Sequence, residues 1–363
     1  MTGSAAAVLA AGLGTFEPAA RAQATAGPAR DVHNKAPQAR LTTVHAFPTR
    51  YFLESIAIRE DHSFLITVLN TRELWYVPPP DAGSSATPMR LHTFGQPTLG
   101  ILETEPDVFH VISGNVYTTR EAYMHRVDLR GWAPGRPAEP RQIFQFPAQA
   151  RACNGMCAVS PGVLLVADSF AGLIWRVDLG ASGGEARVRV WLAHDSMGFY
   201  PGKMKPEQPG VNGVRYAAKS SHLYYTATAK KLLMRVPVDP RTFEPAGVPE
   251  IVVAGRMGDD FILDEEANVI YLTTHRQNTI DIVSMDPGYN SGFTQVVAGD
   301  PFTNELVGPS SGAWGRRPGD AGRVAYFVTD GGTASPLPSG LEPARLLRVE
   351  FQPFTAPFLG AGG

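Results

Sequence analysis

The chain repeats itself. At intervals of about 45–60 residues, an apolar strand is followed by a turn rich in Gly, Asp or Ser. A β-branched or aromatic strand, a polar loop and an alternating third strand come next. The unit occurs six times, starting near Phe52 ("FLESIAIREDHSFLITVLNTRELWYVPP"), Thr98 ("TLGILETEPDVFHVISGNVY"), Cys153 ("CNGMCAVSPGVLLVADSFAGLIWRVDL"), Val211, Gly258 ("GDDFILDEEANVIYLTTHRQNTIDIVSM") and Ser310. No long window carries a 3.6-residue period, so the chain reads as all-β. One sheet-sized unit cannot bury both of its faces. Six of them do so when arranged radially, which predicts a six-bladed β-propeller. The segment "ARLTTVHAFP" (39–48) is a free early strand, expected to complete the last blade and remove an exposed edge. The expected organisation is a signal-like or disordered segment (1–40), one propeller domain (41–353) and a short tail (354–363).

Composition narrows the partners. A formal net charge of −2 with 18% charged residues leaves no basic stripe for nucleic acid. No apolar run reaches the roughly 18 residues that span a bilayer, so no membrane partner is expected. The start, "MTGSAAAVLAAGLGTFEPAARAQA", has the Ala/Leu/Val core and Ala-Gln-Ala end of a signal peptide but lacks a basic n-region; a disordered Ala-rich tail is the other reading. Cys153 and Cys157 in "ACNGMC" either close a small disulfide loop or stay as reduced thiols in a buried turn. Without nearby His they make a poor zinc site.

In a propeller the innermost strand of each blade starts at one face, and the loop after its second strand returns to that face. Glu54, Asn154, Asn212 and Asp259 at the strand starts are therefore expected to converge on one end of the central channel. The loops would add Asn70, Asn115, Ser169, Phe170, Lys230, His275, Arg276 and Asp330. Carbonyl and carboxylate oxygens at equivalent positions suit a hard divalent cation such as Ca²⁺ or Mg²⁺.

These residues carry a resemblance. Glu54 in "ESIAIRE", Asn212 in "VNGVRY" and Asp259 in "GDDFILDEEANVIYL" resemble the metal-ligand motifs of senescence-marker-protein/gluconolactonase-like propellers. Asn154 matches that family's further channel Asn, and Arg151 lies near its substrate-binding Arg. The chain departs from the pattern at three places: Arg151 stands one residue further from Asn154, Asp260 replaces a Gly, and Ser55-Ile56 replaces Gly-Pro. The texture of "GILETEPDVFHVISGNVY", "GVNGVRY" and "LYYTATAKKLLMRVPVD" is similar to the fungal secondary-metabolite branch, which includes hetero-Diels–Alderases joining a tropolone quinone methide to a humulene-type sesquiterpene.

That resemblance implies, first, a cofactor-free pericyclase acting on a small hydrophobic polycyclic or terpenoid substrate. Such a reaction needs two apolar reactants held in near-attack geometry and donors on the heterodiene carbonyl. Arg151, His275, Arg276 and Lys230 are the expected donors. Met156, Phe170, Phe199, Tyr200, Phe261, Phe293 and Trp314, with Asn154, are the expected substrate contacts. The insertion "HDSMGFYPGKMKPEQPG" (194–210) reads as an adaptable lid. The alternative is a lactonase or ester hydrolase with Ca²⁺ or Mg²⁺ on Glu54, Asn212 and Asp259, Asp259 doubling as base. A third reading is a non-catalytic ligand-binding propeller.

Overall fold

The computed structural model describes residues 39–81, 87–116, 120–180, 186–203, 207–287 and 294–352. These form six four-stranded antiparallel sheets in a ring, a six-bladed β-propeller. The innermost strands are Leu53–Ile58, Thr98–Glu105, Cys153–Ser160, Val211–Ala217, Gly258–Asp264 and Pro309–Trp314, and each packs against the next to close the circle. The ring is sealed as the sequence predicts: Arg40–Thr49 pairs antiparallel with Pro343–Glu350 and becomes the outermost strand of the sixth blade. Among the described residues, no helix is long and apolar enough to cross a membrane.

Six apolar clusters, one at each blade–blade interface, form the core. Wholly buried second strands such as "FLITV" (Phe64–Val68) and "VIYLTT" (Val269–Thr274) explain the continuous apolar runs: both faces meet a neighbouring blade. Hydroxyls latch neighbouring blades together inside this core. Thr67 donates to the Leu99 carbonyl at 2.6 Å, Thr226 to Asp259 at 2.6 Å, Thr273 to Ser310 at 3.2 Å, and Ser169 to Val211 at 2.7 Å. Thr226 also accepts from the Gly213 N–H at 2.8 Å. Thr226→Val keeps the shape but strands a buried donor and a buried acceptor, so it is expected to cost about 1–3 kcal/mol. Urea unfolding measures this, and a loss below about 0.5 kcal/mol would mean that the latch carries no net stability.

The Asn-Gly pairs do not make turns. All six innermost strands carry one extra residue just after their first position, a β-bulge repeated round the ring. A bulge re-aims the side chain at that point. Glycine follows for a steric reason: a Cβ on Gly155 would sit 2.6 Å from the Asn212 carbonyl oxygen, and one on Gly100 2.5 Å from that of Asn154. Cys153 and Cys157 consequently lie on one strand, not in a turn, and both are free. Four residues of extended chain separate them by about 13 Å, beyond the roughly 7 Å limit for a disulfide. The bulge also sends them to opposite faces, Cys153 toward the second blade and Cys157 toward the fourth.

Candidate functional site

The bulges bring one residue per blade to the rim where the innermost strands begin: Glu54, Leu99, Asn154, Asn212, Asp259 and Ser310. All but Ser310 line a cavity of about 110 Å³ at the channel mouth. The Ser310 hydroxyl bridges instead to the Leu53 carbonyl at 2.5 Å. From the loops after the second strands come Leu69, Val116, Ser169, Phe170, His275 and Arg276.

Hydrogen bonds fix how each group presents itself. Asn212 Nδ2 donates to Thr228 Oγ1 at 3.2 Å and to Asp259 Oδ1, so both amide hydrogens are used and its carbonyl oxygen is left for the channel. Asn154 Nδ2 reaches Ser169 Oγ at 3.4 Å. Among the described residues, no group donates a hydrogen bond to the Glu54 carboxylate. Burial and the charge of Asp259 push Glu54 up to about 8. Burial likewise lifts Asp259 to about 6, against the opposing pull of His275.

His275 organises the acidic side of the mouth. Its Nε2 is 3.2 Å from Asp330 Oδ2, off the line of a good hydrogen bond, and its Nδ1 is 3.9 Å from Asp259 Oδ2. Burial alone would lower the imidazole; Asp330 and Asp259 outweigh it and raise His275 to about 9. Asp330 is wholly buried, and the Gly332 and Ala334 N–H groups, each at 2.7 Å, hold it in place. Arg276 donates to the Ala334 carbonyl at 3.2 Å, while its Nε is buried with no partner among the described residues.

The other expected residues scatter. Phe170 lines the mouth and meets Phe199 edge to face at 4.9 Å; Tyr200 beyond them is 42% exposed. Lys230 donates to the Asp195 carbonyl and lies over the Tyr200 ring at 5.7 Å, on the rim outside the cavity. Arg151 is exposed, with its backbone N–H on Asp168 Oδ2 at 3.0 Å. Asn70 turns back to the chain, accepting from the Phe52 N–H at 3.0 Å. Asn115 stands next to the lining residue Val116 and is bonded through its backbone to Glu121. Phe261 is wholly buried between the fourth and fifth blades, because the bulge at Asp259–Asp260 reverses the alternation beyond it. Met156 and Trp314 line the opposite end of the channel, several residues further along their strands. Phe293 falls outside the described residues.

Sequence reasoning missed Phe52, which lines the mouth and tilts over His275 at 5.5 Å. Its position two residues before Glu54 was a usable period-2 signal. It also missed Leu69, Leu99 and Val116, whose apolar character matches any core residue. The end of the insertion does reach the mouth, through Glu207, Gln208 and Pro209.

The donor set fits a hard cation in chemistry. Glu54, Asp259 and the carbonyl oxygens of Asn154 and Asn212 are all oxygen donors, and the Glu54 carboxylate lacks any donor of its own. Among the described residues, no three His, Cys, Asp or Glu side chains are grouped so as to hold a metal by themselves, so the two amides are essential to such a set.

No protein-family model matches the chain, and no curated protein matches its sequence. Its shape is similar to regucalcin from Agrobacterium tumefaciens, described as a calcium-binding protein, with TM-score 0.58, 16% identity and coverage of 88% of this chain and 97% of that one. A gluconolactonase from Xanthomonas campestris aligns with TM-score 0.58 and 13% identity, covering 88% of this chain and 91% of that one. The PQQ-bound aldose sugar dehydrogenase of Streptomyces coelicolor aligns at 0.55 and 12% identity, over 87% and 100% of the two chains. At such identities the likeness establishes the fold, which hosts more than one chemistry.

Proposed function

We propose that this propeller is a divalent-cation-dependent hydrolase that opens a lactone or ester with an apolar body. One observation carries the reading: Glu54, Asn154, Asn212 and Asp259, all with oxygen-bearing side chains, occupy the same bulged position in four blades and line one cavity. The names of two structural neighbours, a calcium-binding protein and a gluconolactonase, support it.

Those four residues would hold a divalent cation, which would supply Lewis-acid polarisation of a substrate carbonyl. The chain's own groups account for the protons. The Asp259 carboxylate accepts the proton of a water as the water oxygen bonds to the carbonyl carbon. His275, kept protonated by Asp330, gives a proton to the alkoxide oxygen as the old C–O bond breaks. Phe52, Leu69, Val116 and Phe170 seat the apolar body and keep bulk water from it.

The pericyclase reading keeps one specific observation in its favour. Arg276 and Phe170 both line the mouth, so one cavity offers a guanidinium donor and an aromatic wall, as a heterodiene carbonyl would require. Metal content and turnover before and after exhaustive chelation separate the readings. The expected result is a stoichiometric cation whose removal stops lactone or ester hydrolysis and whose return restores it. A chelated protein that still joins a quinone methide to a terpene alkene stereoselectively would replace the hydrolase with a pericyclase. A chain inert in both assays would be a binding module.

A further inference from the structure

The channel has a second end, and it is the roomier one. Where the innermost strands finish, all six blades line a cavity of about 440 Å³, within the roughly 300–1,000 Å³ span of small-molecule pockets. A waist separates it from the mouth. There Gly100, Gly155 and Gly213 let neighbouring strands touch, and the Asp260 side chain lies against Gly213.

The wall is mixed: Leu102, Leu263 and Trp314 are among its larger apolar groups, and Glu103, Arg215, Glu265 and Arg316 supply nearly as much polar surface. Both arginines among them are already paired. Arg215 is paired with Asp260, which also accepts from Ser311 Oγ at 2.7 Å. Arg316 is paired with Glu103 and donates to the Ile58 carbonyl at 2.9 Å. Trp314 Nε1 is committed to the Leu263 carbonyl at 2.7 Å. Glu265 stands at the rim, accepting from the Lys219 N–H at 2.8 Å. Each arginine thus has its charge answered within the protein, so no uncompensated cation awaits an anionic ligand. Arg215 uses only two of its five N–H groups in its bonds to Val214 and Asp260, and its side chain is 25% exposed.

We propose that this far cavity is a binding site for a neutral, largely apolar aromatic molecule bearing one carbonyl or ether acceptor. The acceptor takes the spare N–H groups of Arg215 while the ring system packs between Trp314 and the aliphatic wall. The site is independent of the hydrolase reading, since it shares no lining residue with the mouth.

The probe is 6-propionyl-2-dimethylaminonaphthalene, a neutral naphthyl ketone whose emission shifts to the blue in apolar surroundings. Titrated into the full chain, it should bind one to one. Ala313→Trp and, from another blade, Leu102→Trp each fill the cavity and should weaken binding more than about tenfold; thermal melts report whether either variant has lost its fold. Arg215→Lys retains the charge facing Asp260 but loses the planar fork, and should weaken binding about tenfold. Phe170→Ala, at the opposite mouth, should leave binding unchanged. Unaltered affinity in folded Trp variants, or loss of binding in Phe170→Ala, would place the probe elsewhere and overturn the site. Tighter binding of the anionic 8-anilinonaphthalene-1-sulfonate would overturn the neutral ligand.

Discussion

Asp259→Asn and Glu54→Gln are each expected to lower hydrolysis of the best lactone or ester substrate by about a hundredfold or more. Both changes keep size and remove charge. Lewis-acid assistance is worth several kcal/mol, and about 2.7 kcal/mol corresponds to a hundredfold in rate. The two losses should differ in kind. On the proposed reading Glu54 serves only as one of the cation's ligands, so Glu54→Gln should weaken cation affinity in calorimetry and recover part of its turnover at high cation concentration. Asp259 also takes the proton, and its Oδ1 orients the Asn212 amide, so saturating cation should not rescue Asp259→Asn. Full activity in either folded variant, with unchanged cation affinity, would remove these residues from the chemistry.

The second large effect is on stability. For the cation-free protein, the urea midpoint is expected to fall as pH rises from about 5 to 9. Burial and Asp259 hold Glu54 up to about 8, and burial holds Asp259 up to about 6. Burial works against His275, but Asp330 and Asp259 raise it to about 9. In all three groups the folded state keeps a proton that the unfolded chain has already released. The unfolded state therefore binds fewer protons across this range, and stability declines with pH. Each contribution is complete below the group's ordinary value and gone above its folded value. The carboxylates supply the lower part of the decline and His275 the upper part. The three groups act on one another, so their losses do not simply add; together they amount to a few kcal/mol, on the order set by shifts of this kind. Glu54 also touches the open channel, where solvent screens part of its share. Glu54→Gln should flatten the middle of the profile. A midpoint that is flat or rises over this range would show that the cluster is not held as described.

Much of the architecture was legible in the chain. Turn residues at regular intervals and β-branched runs gave six sheets, and the segment around Val44 read correctly as a strand awaiting a partner. That partner is Pro343–Glu350, some 300 residues away. The polar positions Glu54, Asn154, Asn212 and Asp259 were legible for the same reason, because repeats place equivalent residues at equivalent points of the ring. The errors have two causes. Met156 and Trp314 were assigned to the mouth, but they lie further along their strands and so reach the other end of the channel. Phe261 follows a bulge, whose extra residue reverses the alternation and buries it between blades. The same extra residue made the Asn-Gly of "ACNGMC" look like a turn and Cys153–Cys157 look like a possible bridge.

The sequence by itself determined the ring, its closure and the four oxygen-bearing positions at one end. Those depend on local strand propensity and on repetition, both of which a single chain displays. Only the tertiary structure decided that His275 stands between Asp330 and Asp259, that Phe52 covers it, and that the channel is pinched into two cavities. These are contacts between blades, and they depend on how closely separate strands approach one another and on which side each bulge turns. Nothing within one repeat encodes that distance; it is set when six blades must fit one circle.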